Sequence, residues 1–160
     1  MERYLKSVTK ECHEIILNQM NNCIYIIKGK DGKNEIGLFC NIKYKNQKIP
    51  VLLINNYINN EDYQDKINIS FNNKDKIIEL ENIIYKNKEN NISIIKIKEK
   101  YNYIKYIEID DKLYENESEM YYNNESIYII QYNNIKDILI SYGIIKEINN
   151  NKLIYNGNIN

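Results

Sequence analysis

Few side chains in this 160-residue chain have the types and spacing to do chemistry. Cys12, Cys23 and Cys40 offer thiols, and His13 is the sole imidazole. Thiols and an imidazole suggest either a zinc site or an activated cysteine nucleophile. A zinc site takes about four ligands at matched spacing, often as Cys-x-x-Cys. No Cys-x-x-Cys occurs, and neighbours such as Cys12 and His13 on a helix point about 100° apart. All three cysteines therefore read as buried free thiols of a reducing compartment. No metal and no cofactor are expected.

Composition narrows the remaining classes. The 22 basic and 22 acidic side chains cancel, so the surplus of cations that drives DNA binding is missing. Isoleucine (34), asparagine (29) and lysine (21) make up just over half of the chain, and all three have A- and T-rich codons. Low net charge with abundant Ile and 16 Tyr does not fit the disordered signature. The longest apolar run, Ile49 to Ile54, is too short to cross a bilayer. Met1-Glu2-Arg3-Tyr4 leads into no apolar stretch of leader length, which argues for a cytoplasmic chain without a membrane partner. Four Asn-x-Ser sequons, at Asn68, Asn91, Asn116 and Asn124, carry no glycosylation reading in that setting.

The elements that position these groups follow from periodicity. Leu5, Val8, Cys12, Ile15 or Ile16, and Gln19 or Met20 recur at helical spacing, and Asn21-Asn22 stop the helix in a left-handed turn. From Cys23 onward the period drops to two. Strands are expected at 23–28, 35–44, 48–55, 66–71, 76–80, 91–98, 126–132, 137–148 and 152–155. Turns fall at Gly29-Lys30-Asp31-Gly32, Lys45-Asn46-Gln47 and Asn72-Asn73-Lys74-Asp75. Gly143, inside a strand, marks a bulge or a close backbone approach. Asparagine pairs at 55–56, 59–60, 72–73, 123–124 and 133–134 lie between apolar runs, where turns belong. Short strands with polar turns describe a mostly β barrel or sandwich preceded by one helix.

Three stretches in order resemble the trypsin-like serine peptidase domain. Ile36-Gly37-Leu38-Phe39-Cys40 is similar to its Gly-x-Gly-Phe strand. Ile49 to Ile58 resembles the strand running into the catalytic histidine. Asn91-Ile92-Ser93-Ile94-Ile95-Lys96-Ile97 is similar to the strand carrying the catalytic aspartate. Ser126 to Tyr132 and Ser141 to Ile145 resemble the first strands of the second barrel. The resemblance implies a helix at 1–22, a first barrel at 23–106 and an incomplete second barrel at 107–160.

The resemblance also implies that catalysis is gone. Tyr57 stands at the histidine position, and a phenol with pKa about 10 cannot take a serine proton at neutral pH. Asn91 stands at the aspartate position, where an amide cannot stabilise imidazolium. The serine is absent: the chain ends at Asn160 with no Gly-x-Ser-Gly, so the expectation is a truncated, degenerate, non-catalytic homologue. Secreted relatives bridge a cysteine on the Cys40 strand to one beside the histidine. Here that neighbour is Ile58.

Such a chain is expected to bind a protein or peptide, or to self-associate through strand edges at 126–156. A basic region (Lys28, Lys30, Lys33, Lys43, Lys45, Lys48) and an acidic one (Glu108 to Glu125) either stay solvated or dock. The alternative is an unrelated small β-barrel binding peptide or single-stranded nucleic acid, its tyrosines stacking on bases. The discriminating feature is whether the loops carrying Tyr57 and Asn91 lie side by side.

Overall fold

A computed structural model describes residues 9–28, 34–56, 58, 65–71, 74–98, 100–110, 112, 122–133, 137–149 and 152–158. They divide into two compact units, one spanning Glu11–Ile109 and the other containing 110–158. The fold is mostly β with one N-terminal helix.

The first unit begins with α1 (Lys10–Cys23). It buries Ile16, Met20 and Cys23, spaced i, i+4 and i+7 on one face. The burial expected of Cys12 fails: it lies on the same face, four residues before Ile16, but in the first turn of α1 it is exposed. Asn21-Asn22 do not stop the helix in a left-handed turn either. It continues to Cys23, the Asn22 side chain donating to the Asn18 carbonyl (2.8 Å) and the Asn22 carbonyl accepting from the Lys105 N–H (3.1 Å). The expected turn at 29–32 lies outside the described residues.

Strands β1 (Ile24–Lys28), β2 (Asn34–Tyr44), β3 (Gln47–Ile54), β4 (Lys66–Phe71), β5 (Lys74–Asn87) and β6 (Ile92–Ile97) follow. All pair antiparallel in the order β1-β4-β5-β6-β3-β2, and β1 also pairs with β2, which closes a six-stranded barrel. With β4 beside β1, the first four strands form a Greek key. The β2–β3 hairpin uses a two-residue turn with Lys45 and Asn46 at φ 47° and 63°, the left-handed pair that matches strand twist. β5 is much longer than the expected 76–80, and Lys74 and Asp75 belong to it, not to a turn. Register shifts against β6 between Leu80 and Asn82 and between Ile83 and Tyr85 break its alternation, which hid its second half. A two-residue strand, β7 (Ile107–Glu108), pairs parallel to β2 and has no periodicity to announce it.

Alternation sets the core. Tyr25, Ile27, Phe39, Leu52, Ile54, Ile69, Ile78, Leu80, Ile95 and Ile97 point inward, joined by Ile104 from the segment after β6. Tyr101, Tyr103 and Tyr106 pack against this cluster. Their hydroxyls also work: Tyr101 Oη accepts from the Glu79 N–H (2.9 Å), and Tyr106 Oη from the Tyr101 N–H (3.2 Å).

The second unit is an antiparallel meander of β8 (Ser126–Asn133), β9 (Asp137–Asn149) and β10 (Lys152–Asn158), each starting where expected and running further at its C-terminal end. Gly143 is a close approach. A Cβ there would lie 2.5 Å from the Asn156 carbonyl oxygen and 2.8 Å from the Tyr155 ring. Gly157 is its register partner, and the Tyr155 ring also crowds the Cβ position of Gly157, an aromatic laid over two glycines. The bulge lies three residues away, where β9 carries Lys146 as an extra residue opposite Ile154 and Tyr155. Gly143→Val is expected to cost about 2 kcal/mol or more, since the obstructing atoms are backbone. Hydrogen exchange should show β10 amides losing protection first; an unchanged pattern would contradict the close approach.

Candidate functional site

The site is built where β3 leaves the barrel and β6 enters it. Ile54 and Ser93 are register partners, so the residues just beyond them, Asn55 and Asn91, are brought together. Asn91 sits in the turn before β6, not in the strand as expected, with φ 52°. Asparagine tolerates that left-handed conformation better than most residues. From there its Nδ2 donates to the Asn55 carbonyl at 3.3 Å. The same turn is closed by the Asn90 N–H donating to Asn87 Oδ1 at 2.9 Å.

Two further bonds hold the loop that follows β3. Ser93 Oγ, fully buried, accepts from the Ile58 N–H at 3.0 Å. Asn56 Nδ2 donates to Glu35 Oε1 at the start of β2. Tyr57 lies outside the described residues, but both its chain neighbours, Asn56 and Ile58, are tethered. Asn55, Asn56 and Ile58, the described residues after β3, thus lie beside the turn that carries Asn91 and the start of β6.

Ser93 was not singled out as a site residue in the sequence. Its mark there is a hydroxyl at an inward position of an Ile-rich alternating strand, where a buried polar group needs a partner. It is not placed for nucleophilic attack: its contact in the structure is a backbone donor, not a base. Ser93→Ala would strand the Ile58 N–H, at a cost of about 1–3 kcal/mol if that group stays dry. Exchange at Ile58 should then rise far more than exchange in the β2–β3 hairpin. Uniform loss across the barrel would contradict this tethering role.

Cys40 is not an activated nucleophile. It is fully buried, and its pKa is pushed up to about 11 by burial first, then by the nearby Cys23 and Glu108. Reactive cysteines need the opposite environment, exposed and electropositive. His13 is exposed on α1. Among the described residues, no three His, Cys, Asp or Glu side chains converge in a way that would hold a metal ion, and no helix is long and apolar enough to cross a membrane.

Compared with protein-family models, curated proteins and solved structures, the chain has no significant match to any of them.

Proposed function

We propose that this chain is a catalytically inactive relative of trypsin-like serine peptidases, a pseudo-peptidase retained as a protein- or peptide-binding or regulatory module. The adjacency of the β3 and β6 loops on a closed antiparallel barrel carries the reading. On the resemblance to the peptidase domain, these are the loops that would carry the base and the orienting carboxylate of a serine triad. On that reading Tyr57 and Asn91 stand where the histidine and aspartate would, and neither can do their chemistry.

The reading places partner contacts on β8–β10. Ile154, near the middle of β10, is half exposed, and among the described residues β10 pairs with β9 alone. An open strand edge beside exposed apolar side chains favours strand addition by an extended peptide or by a second copy.

Turnover of unfolded casein and of fluorogenic peptides tests the loss of catalysis. No hydrolysis above buffer is expected from the full chain, nor from Tyr57→His/Asn91→Asp. Hydrolysis that disappears on Asn91→Ala would overturn the proposal.

A further inference from the structure

Ion pairs among the described residues take in Lys28, Lys48, Lys66, Lys96 and Lys98. Lys105 is exposed and has no carboxylate partner among them. Its backbone is fixed all the same, since its N–H donates to the Asn22 carbonyl in the last turn of α1 (3.1 Å). Its ammonium stands close enough to Cys23 for the charge to act on that thiol. An unpaired cation is thus anchored beside the end of the helix.

A groove opens there. It holds about 330 Å³, the low end of the range for small-molecule sites, between α1 and residues 105–108. All of it belongs to the first unit. Ile15 and Ile107 supply apolar walls, and Ile15 leaves 53% of its surface in water. Covering that surface is favourable, because folding has not already removed it from solvent. Cys23 adds a buried thiol, which burial keeps in its neutral form against the pull of the Lys105 ammonium.

Glu108 is the one carboxylate lining the groove. Its charge is already met: one oxygen accepts from Lys48 at 3.1 Å and the other from Asn41 at 2.6 Å. Glu108, Lys48 and Lys105 together leave one positive charge, so the groove favours an anion over a cation. A small anion without an apolar part would meet a single exposed ammonium, which is worth little. A neutral apolar molecule would use the walls and leave the ammonium unpaired. Walls and cation are satisfied together only by a molecule that carries both features.

The geometry points to this groove as a binding site for a small amphiphilic carboxylate, its carboxyl group paired with Lys105 and its alkyl chain laid along Ile15 and Ile107. A protein partner would need contact surface well beyond a groove of this size. The site does not depend on the loss of catalysis. It is also separate from strand addition at β10, which belongs to the other unit.

Titration of the ¹⁵N-labelled full chain with sodium octanoate, read from amide chemical shifts, tests this. Saturable shifts are expected at Ile15, Lys105 and Ile107, with a dissociation constant of about 1 mM or tighter. Octanol and octylammonium should bind at least about tenfold more weakly, since neither can make the charge-assisted contact with an ammonium. Lys105→Gln removes the ammonium but keeps the backbone bond to Asn22, and should weaken octanoate by about tenfold. Ile15→Asp, at an exposed helix position, should weaken it at least as much by adding a like charge and removing a wall. Unshifted amides at Ile95 and Ile97 in the barrel core check that both variants keep the fold. No saturable shift up to about 10 mM octanoate, shifts confined to β8–β10, octylammonium binding as tightly as octanoate, or octanoate affinity unchanged by Lys105→Gln would each overturn the assignment.

Discussion

Phe39→Ala is expected to remove about 4 kcal/mol of the barrel's stability, a large share of the roughly 5–15 kcal/mol a domain commonly has. Phe39 is fully buried and meets the rings of Tyr25 and Tyr106 edge-on, at 5.3 and 6.1 Å between centroids. Its other neighbours in the cluster are largely isoleucines, whose branched Cβ leaves one favoured rotamer. Stiff neighbours collapse poorly into a cavity, which keeps the cost near the upper part of its range. Phe39→Leu fills most of the space and should lose only about 1–2 kcal/mol. Urea unfolding of the three proteins measures both values. A loss below about 1 kcal/mol for the alanine variant would mean that the core relaxes freely, against the packing described here.

Alkali should destabilise the barrel through its buried thiol and phenol. Burial pushes Cys40 from 9.0 up to about 11. Burial again, with smaller contributions from Cys23, Tyr103 and Tyr106, pushes Tyr25 from 10.0 up to about 12. Both groups are neutral when protonated, and the fold favours that form. Their contribution is therefore complete below the unfolded-state values and is lost as pH rises toward the folded-state ones. Cys40 subtracts about 1.4 kcal/mol per pH unit between about pH 9 and 11, and Tyr25 does so between about pH 10 and 12. Cys40 alone then accounts for a loss on the order of 3 kcal/mol over that window. Unfolding followed from pH 8 to 11 under reducing conditions should show this slope. Cys40→Ala, less stable at pH 8, should show a flatter one. Parallel slopes for the two proteins would contradict the burial assigned to this thiol.

Much of the barrel was legible in the sequence because isoleucine marks inward positions at period two and asparagine marks turns. β2, β3, β4 and β6 fall within a residue or two of where periodicity puts them. Legibility fails where one residue serves two purposes or where alternation breaks. The bulges of β5 shift its inward face midway, so its second half has no single period. β7 is a strand only because β2 lies beside it, a tertiary cause invisible to local pattern. Cys12 lies on the same stripe as Ile16, Met20 and Cys23, yet in the first turn of α1 it stays exposed, which spacing alone does not reveal. At the candidate site, Asn91 was found as a position but not as a conformation: the left-handed turn and the bond to Asn55 needed the β3–β6 register. Ser93 could have been found, since a hydroxyl flanked by isoleucines in a buried strand demands a partner.

Gly37 links the resemblance to packing. A Cβ at Gly37 would lie 2.5 Å from Ile27 Cδ1 and 2.7 Å from Leu52 Cδ1, inside the barrel. Glycine there makes room for large side chains on β1 and β3, a structural reason for the motif that owes nothing to catalysis. The barrel and the polar tethers at its rim thus account for themselves through packing and hydrogen bonding.

A serine hydrolase acylates itself with a fluorophosphonate because base, orienting carboxylate and oxyanion donors together activate one hydroxyl. Treating the full chain with such a probe and reading the intact mass therefore addresses the central claim most directly. The expected result is no adduct under conditions where trypsin is labelled to completion. A stoichiometric adduct on a single serine, lost on heat denaturation and on Asn91→Ala, would show that the barrel still carries out the chemistry and would contradict the account.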